Sequence, residues 1–202
     1  MQHEITQAIP LLDEQGELTQ PGWARRLLPV YDRSKVRGGP LRLKERDCYL
    51  VMNRQCALAL TISDNRYMGM DSISLIDLWE GWQVTRSPMR LMPLGGTGLP
   101  QSSLRGSCAR AGRGYGLLFQ HEGEGGTLHA HMDRFRDGQA LDAQILLTQE
   151  PEESIVMCTP FEKPGQFYFN QKINCMRAQG KVTLGDREYV FDPEDSFAVL
   201  DW

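Results

Sequence analysis

The motifs that most often announce a function are missing from this chain. Its 202 residues contain no P-loop, no G-x-G-x-x-G fingerprint, no G-x-S-x-G elbow and no H-E-x-x-H pair. The nucleotide, hydrolase and zinc-protease readings that rest on those local geometries therefore lose their support. There is no C-x-x-C, and the 5 cysteines make an odd count, so the simplest expectation is free thiols in a reducing, cytoplasmic setting. The longest apolar run, "CALALTI" from Cys56 to Ile62, is far short of the ~20 residues that span a bilayer as a helix. No basic n-region and apolar h-region open the chain, and no Asn-x-Ser/Thr acceptor occurs, so neither a signal peptide nor a membrane span is expected. An excess of basic charge is lacking too. The net charge is −4 and the pI about 5.6, which leaves no face suited to a phosphate backbone and gives no expectation of a nucleic-acid partner.

Sustained helical periodicity is also scarce. What recurs instead is the short period-2 segment broken by Gly, Asn, Asp or Pro. "DCYLVMNRQCALALTIS" reads as two strands joined near Asn53-Arg54, and "YMGMDSISLIDLW" comes after a turn at Asp64-Asn65-Arg66. "GYGLLFQH" and "TLHAHM" flank "EGEGG". "ALDAQILLT" places Leu141, Ala143, Ile145 and Leu147 on one face. In "KVTLGDREYVF" the pair Gly185-Asp186 suits a two-residue hairpin turn with Val182, Leu184 and Tyr189 on one side. A helical turn is expected near "PGWARRLL", with Pro21 at its start, and a loop over Pro88–Gly98. Together these features indicate an all-β protein, an antiparallel barrel or sandwich, with Leu141, Ile145, Leu147, Phe167, Phe169 and Ile173 in one core. The strand-like end "SFAVLDW" is expected to present an unpaired apolar edge through which chains could associate.

Two groups of residues invite a chemical reading. In "HAH", strand alternation puts His129 and His131 on one face, where a metal site could begin with His121 as a third ligand. The hairpin register decides this: centring the loop between Glu124 and Gly125 pairs His121 with Leu128 and turns it away, while a shift of one residue brings it opposite His129 or Thr127; with no clear carboxylate partner, no metal and no cofactor is expected. The second group lies in "FYFNQKINCM", Phe167–Met176. Alternation separates an apolar face (Phe167, Phe169, Gln171, Ile173, Cys175) from a polar row: Tyr168, Asn170, Lys172 and Asn174. Asn is a poor strand former. The row is either a solvated outer face or a lining that offers hydrogen bonds to a ligand in a cavity. In the second case Lys172 needs a carboxylate close by, with Asp64, Asp71 and Asp201 as candidates. Asp64 and Asn65 join the row as secondary ligand-binding candidates.

The stretches "LLDEQGELTQPGWARRLLPVYDR", "ALALTISDNRYMGMDSISLIDL", "ESIVMCTPF", "FYFNQKINCM…GKVTLG" and "SFAVLDW" together resemble a bacterial family known as domain-of-unknown-function family 2804, in order from about Leu11 to Trp202. The resemblance implies that residues 1–202 form a single β domain, the N-terminal part of a longer two-part β protein. More remotely it implies a lipocalin-like architecture similar to that of hydroxyneurosporene synthase-type hydratases. By that analogy the ligand is an apolar or amphipathic small molecule held in a barrel cavity. The same analogy implies hydratase- or cyclase-like chemistry that needs no cofactor, with Asp201 as the acid. The competing expectation is a non-enzymatic structural or interaction module in which Trp79, Trp82 and Trp202 pack a core or a partner.

Overall fold

The turns come first, because they set every register. The computed structural model describes residues 3–123 and 125–202. Its strands are β1 (Ile9–Pro10), β2 (Gly22–Ala24), β3 (Pro29–Val30), β4 (Glu45–Met52), β5 (Cys56–Asp64), β6 (Met68–Asp77), β7 (Trp82–Arg86), β8 (Met89–Leu91), β9 (Arg105–Gly112), β10 (Tyr115–Glu122), β11 (Gly125–Arg136), β12 (Gln139–Thr148), β13 (Ile155–Pro160), β14 (Phe167–Leu184), β15 (Arg187–Phe191) and β16 (Phe197–Asp201). Between β4 and β5 the Asn53 side-chain oxygen accepts from the Gln55 and Cys56 N–H groups, an Asx turn that reverses the chain without Gly. Between β5 and β6 the Arg66 N–H donates to Asp64. Gly185 takes φ 57°, as a primed hairpin turn requires. It sets Val182 opposite Tyr189 and Thr183 opposite Glu188, the faces expected from the sequence.

No α-helix occurs among the described residues; Arg33–Lys35 is a single 3-10 turn. The helical turn expected after Pro21 is instead β2, which is recruited as an extended edge by β13. The main sheet runs β7-β6-β5-β4-β16-β14-β12-β11-β10-β9, antiparallel at every step. It curls until its ends approach each other. Tyr49 on β4 meets Phe119 on β10 edge to face at 5.1 Å, the Arg86 Nε on β7 donates to Phe135 O on β11 at 2.9 Å, and the Tyr115 hydroxyl on β10 donates to Asp71 on β6 at 2.8 Å. No ladder joins β7 to β9, so the sheet is not closed into a barrel, one of the two architectures expected. The β8–β9 connection lies in the gap and buries Leu99 there.

The interior of the curl is filled by side chains. Leu58, Leu60, Ile62, Ile73 and Leu75 from one half pack with Phe119, Leu128, Leu141, Ile145 and Leu147 from the other, each contributing about 1.5–3 kcal/mol by leaving water. The single core expected for Leu141, Ile145, Leu147, Ile173, Phe167 and Phe169 is in fact two. The first four belong to the main cluster. Phe167 and Phe169 flank a smaller one of Ile5, Leu11, Leu12, Ala24, Val156 and Cys158 under the N-terminal segment.

Strand β14 is the spine. Its first half pairs with β13 and its second with β12 and β15, while β16 joins at the middle. A bulge between Ile173 and Met176, with Cys175 at φ 63°, shifts the alternation by one residue, so that Ile173 and then Met176, Ala178, Val182 and Leu184 all face the core. Such a bulge bends and twists the strand locally, which lets one strand serve both halves of the curl. Strand β16 lies between β14 and β4. "SFAVLDW" is therefore an internal strand, and the expected exposed edge does not exist there; the path ends instead at β7 and β9.

Candidate functional site: a buried carboxyl–imidazole cleft

Strand β4 reads "ERDCYLVM". Tyr49 and Val51 point into the main core, and period 2 carries Asp47 to the same side. Asp47 is 6% exposed. Across the curl, β10 sends Leu117 and Phe119 inward, and alternation brings His121, also 6% exposed, after them. Both side chains line one cleft with Tyr49, Phe119, Pro100, Ser102, Ser103, Gly106, Leu200 and Trp202, and it has room for about one water-sized group.

The electrostatics of this cleft are unbalanced. Burial pushes the Asp47 carboxyl up to about 7, the nearby Glu45 charge adds to the rise, and His121 opposes it; no hydrogen bond contributes. Glu45 itself is fully engaged: it takes both Arg33 Nε contacts at 2.8 and 3.0 Å, a Tyr31 hydroxyl at 2.9 Å, and has Arg66 at 3.7 Å. His121 Nε2 lies 2.9 Å from Glu150. A proton shared with that carboxylate leaves Nδ1 as an acceptor in the neutral ring, and Nδ1 is buried without a partner. The floor is held by Ser103, which donates to Gln171 Oε1, while Gln171 Nε2 donates to Ser154 at 2.8 Å. The Gln171 and Trp202 backbones exchange two hydrogen bonds, which fixes the Trp202 ring 5.6 Å from Phe169 in an edge-on contact. A carboxyl that titrates near neutrality beside an imidazole held by a second carboxylate can accept or donate a proton at pH 7.

The residues nominated from sequence lie elsewhere. Because Ile173 faces the core, the row Tyr168, Asn170, Lys172 and Asn174 occupies the opposite face of β14, away from the main core. Tyr168 and Asn174 are exposed and Lys172 is half-buried. Lys172 does gain its carboxylate: its ammonium lies 2.7 Å from Asp201, which also meets Arg46 at 2.7 Å. Burial alone would raise the Asp201 carboxyl, but the Lys172 hydrogen bond and the Arg46 charge outweigh it and hold the group below the usual carboxylate range. Asp201 thus stays ionised at neutral pH, which does not suit a proton donor. Asn170 is 2% exposed, and both its amide atoms lack partners. Asp64 accepts from the Arg66, Gly95 and Thr97 N–H groups and the Thr97 hydroxyl, so it organises the loop after β8. Asn65 closes the neighbouring turn through its backbone. Asp71 is engaged by Arg90 through two 3.0 Å contacts.

The hairpin register is two residues away from the one that pairs His121 with Leu128, yet it keeps the same parity and separates the histidines in the same way. Glu122 pairs with Gly125 and His121 with Gly126, so His121 faces inward while His129 and His131 face outward. His131 meets Asp133 at 2.8 Å and Asp142 at 2.7 Å, hydrogen bonds that raise its pKa. Among the described residues no group of three or more potential ligands is arranged to hold a metal ion. All five cysteines are free; Cys56, Cys108 and Cys158 are buried, and Cys175 is exposed at the bulge. No described helix is long and apolar enough to cross a membrane.

Sequence reasoning missed Asp47 and Glu150. The signal for Asp47 was available: an acidic residue in phase with Tyr49 and Val51, on the face that alternation marks as buried. Glu150 lies beyond the end of β12 and carries no such signal. No curated protein and no solved structure matches the chain. The family model described as Domain of unknown function (DUF2804) matches residues 2–202, and the chain belongs to that family.

Proposed function

We infer that the protein binds an amphipathic small molecule whose polar head enters the Asp47–His121 cleft and whose apolar part extends over the partly exposed Trp202. The observation that carries this reading is the buried Asp47 carboxyl, left without a hydrogen bond and pushed up to about 7, in a cleft that also holds an unpartnered imidazole nitrogen. Buried polar groups are normally paired, so two acceptors at one cleft with no hydrogen bond from the protein favour a ligand-facing role. In this reading any cofactor-free hydratase- or cyclase-like proton transfer uses Asp47 as the acid rather than Asp201. The lipocalin-like, two-part architecture implied by the sequence resemblance belongs to the same proposal, with residues 1–202 as one β domain.

A second reading, a structural or interaction module without a ligand, is favoured by the filled interior and by Trp79, which is 84% exposed. Native mass spectrometry of freshly purified protein separates the two. A retained amphipathic mass in the wild type that is lost in Asp47→Asn supports the binder. Ligand-free spectra from several expression hosts, unchanged when fatty acids, alcohols and amines are added, overturn it.

A further inference from the structure

We propose that the cleft receives the ammonium head of a small primary amine, with Asp47 as its counter-ion. The proposal rests on the preceding reading that the cleft is the binding site, and it specifies the head group. Two acceptors stand in the cleft without a donor. No hydrogen bond reaches the Asp47 carboxyl, and His121 Nδ1 is buried and unpartnered because Glu150 engages Nε2. Of the neighbouring donors, Tyr31, Arg33 and Arg66 serve Glu45 and Ser103 serves Gln171, while the Tyr49 and Ser102 hydroxyls and the Trp202 indole also line the cleft.

The complement of two acceptors in a space for about one water-sized group is a group with at least two donors. Water meets that condition in the empty cleft, and an ammonium meets it in the occupied one with a donor to spare. A carboxylate or phosphate head offers no donor and repels Asp47, and a hydroxyl offers only one donor. Charge points the same way. A buried carboxylate is costly until a cation pairs with it. Tyr49, Phe119 and Trp202 wall the cleft, and aromatic faces attract a cation further. The titratable groups facing Asp47 are Glu45 on its own strand, His121 on β10, Tyr49, and Cys108 on β9, with Glu150 held against His121. No lysine or arginine is among them.

Propylamine, 1-propanol and propionate are matched probes, and the Trp202 side of the cleft permits NMR or fluorescence titration. Propylamine is expected to bind the wild type most tightly. Its Kd should fall about tenfold per pH unit while Asp47 ionises and level off above about pH 8. Asp47→Asn tests that the profile belongs to Asp47. This near-isosteric change should raise the propylamine Kd at pH 8 by at least about tenfold and flatten the pH profile. The wild-type pH profile tests the proposal even if the variant does not fold. If propanol binds as tightly as propylamine, or if propylamine affinity is independent of pH, the ammonium assignment is overturned while the cleft remains a binding site. If none of the three probes binds, both readings fall and the cleft holds water alone.

Discussion

Replacing Asp47 with Asn should stabilise the protein at alkaline pH, because the carboxylate is buried without a partner. The free carboxyl titrates at 3.8 and the folded one at about 7. Between those values the native state holds a proton that the unfolded chain has lost, so wild-type stability falls as pH rises through that window and is constant above it. Three pH units at about 1.4 kcal/mol each amount to about 4 kcal/mol lost by pH 8. Asn removes the charge at constant size, but its amide inherits the unsatisfied site at a cost of about 1–3 kcal/mol. The variant is therefore expected to exceed the wild type by about 1–3 kcal/mol at pH 8 and to match or fall below it at pH 4.5. Urea unfolding of both proteins at pH 4.5, 6 and 8 measures this, since every other titrating group cancels in the difference. A stability difference that is flat with pH, or a wild type more stable at pH 8, would show that Asp47 has a partner and would remove the basis of the cleft assignment.

Three further outcomes are expected. Asn170→Leu should be neutral or stabilising by about 1 kcal/mol, because it replaces two buried unsatisfied amide atoms with apolar surface; a loss above about 2 kcal/mol in chemical denaturation would mean that Asn170 does a job not visible in its hydrogen bonds. Asp71→Asn breaks the paired contacts with Arg90 at a position that is 0% exposed and should cost about 3–5 kcal/mol; a change under about 0.5 kcal/mol, typical of surface sites, would refute the buried pair. Thiol labelling of the native protein should modify exposed Cys175 first and reach Cys56, Cys108 and Cys158 only on unfolding; mass mapping of an early, uniform reaction at the buried three would contradict their placement.

What the sequence determined by itself is local. Turn chemistry is a matter of a few adjacent residues, so Asn53, Asp64 and Gly185 marked three reversals in advance. Alternation is equally local, so the core faces of β5, β6 and β12 were readable before any packing was known. The polar row of β14 was readable as a row, but its direction was not, because a strand does not record which of its faces the rest of the chain will cover. The tertiary structure decided that by setting Ile173 and Leu200 in the main core, which sends Lys172 and Asp201 to the other side as a pair. It also placed β16 at the centre of the sheet, a pairing between segments about 150 residues apart, where sequence pattern alone suggested an edge. The cleft belongs wholly to this second level. Asp47, His121 and Glu150 come from β4, β10 and the end of β12, and they meet only because the sheet curls. The unusual property of Asp47 comes from losing water there, and desolvation is a consequence of the whole fold that no local stretch of sequence encodes.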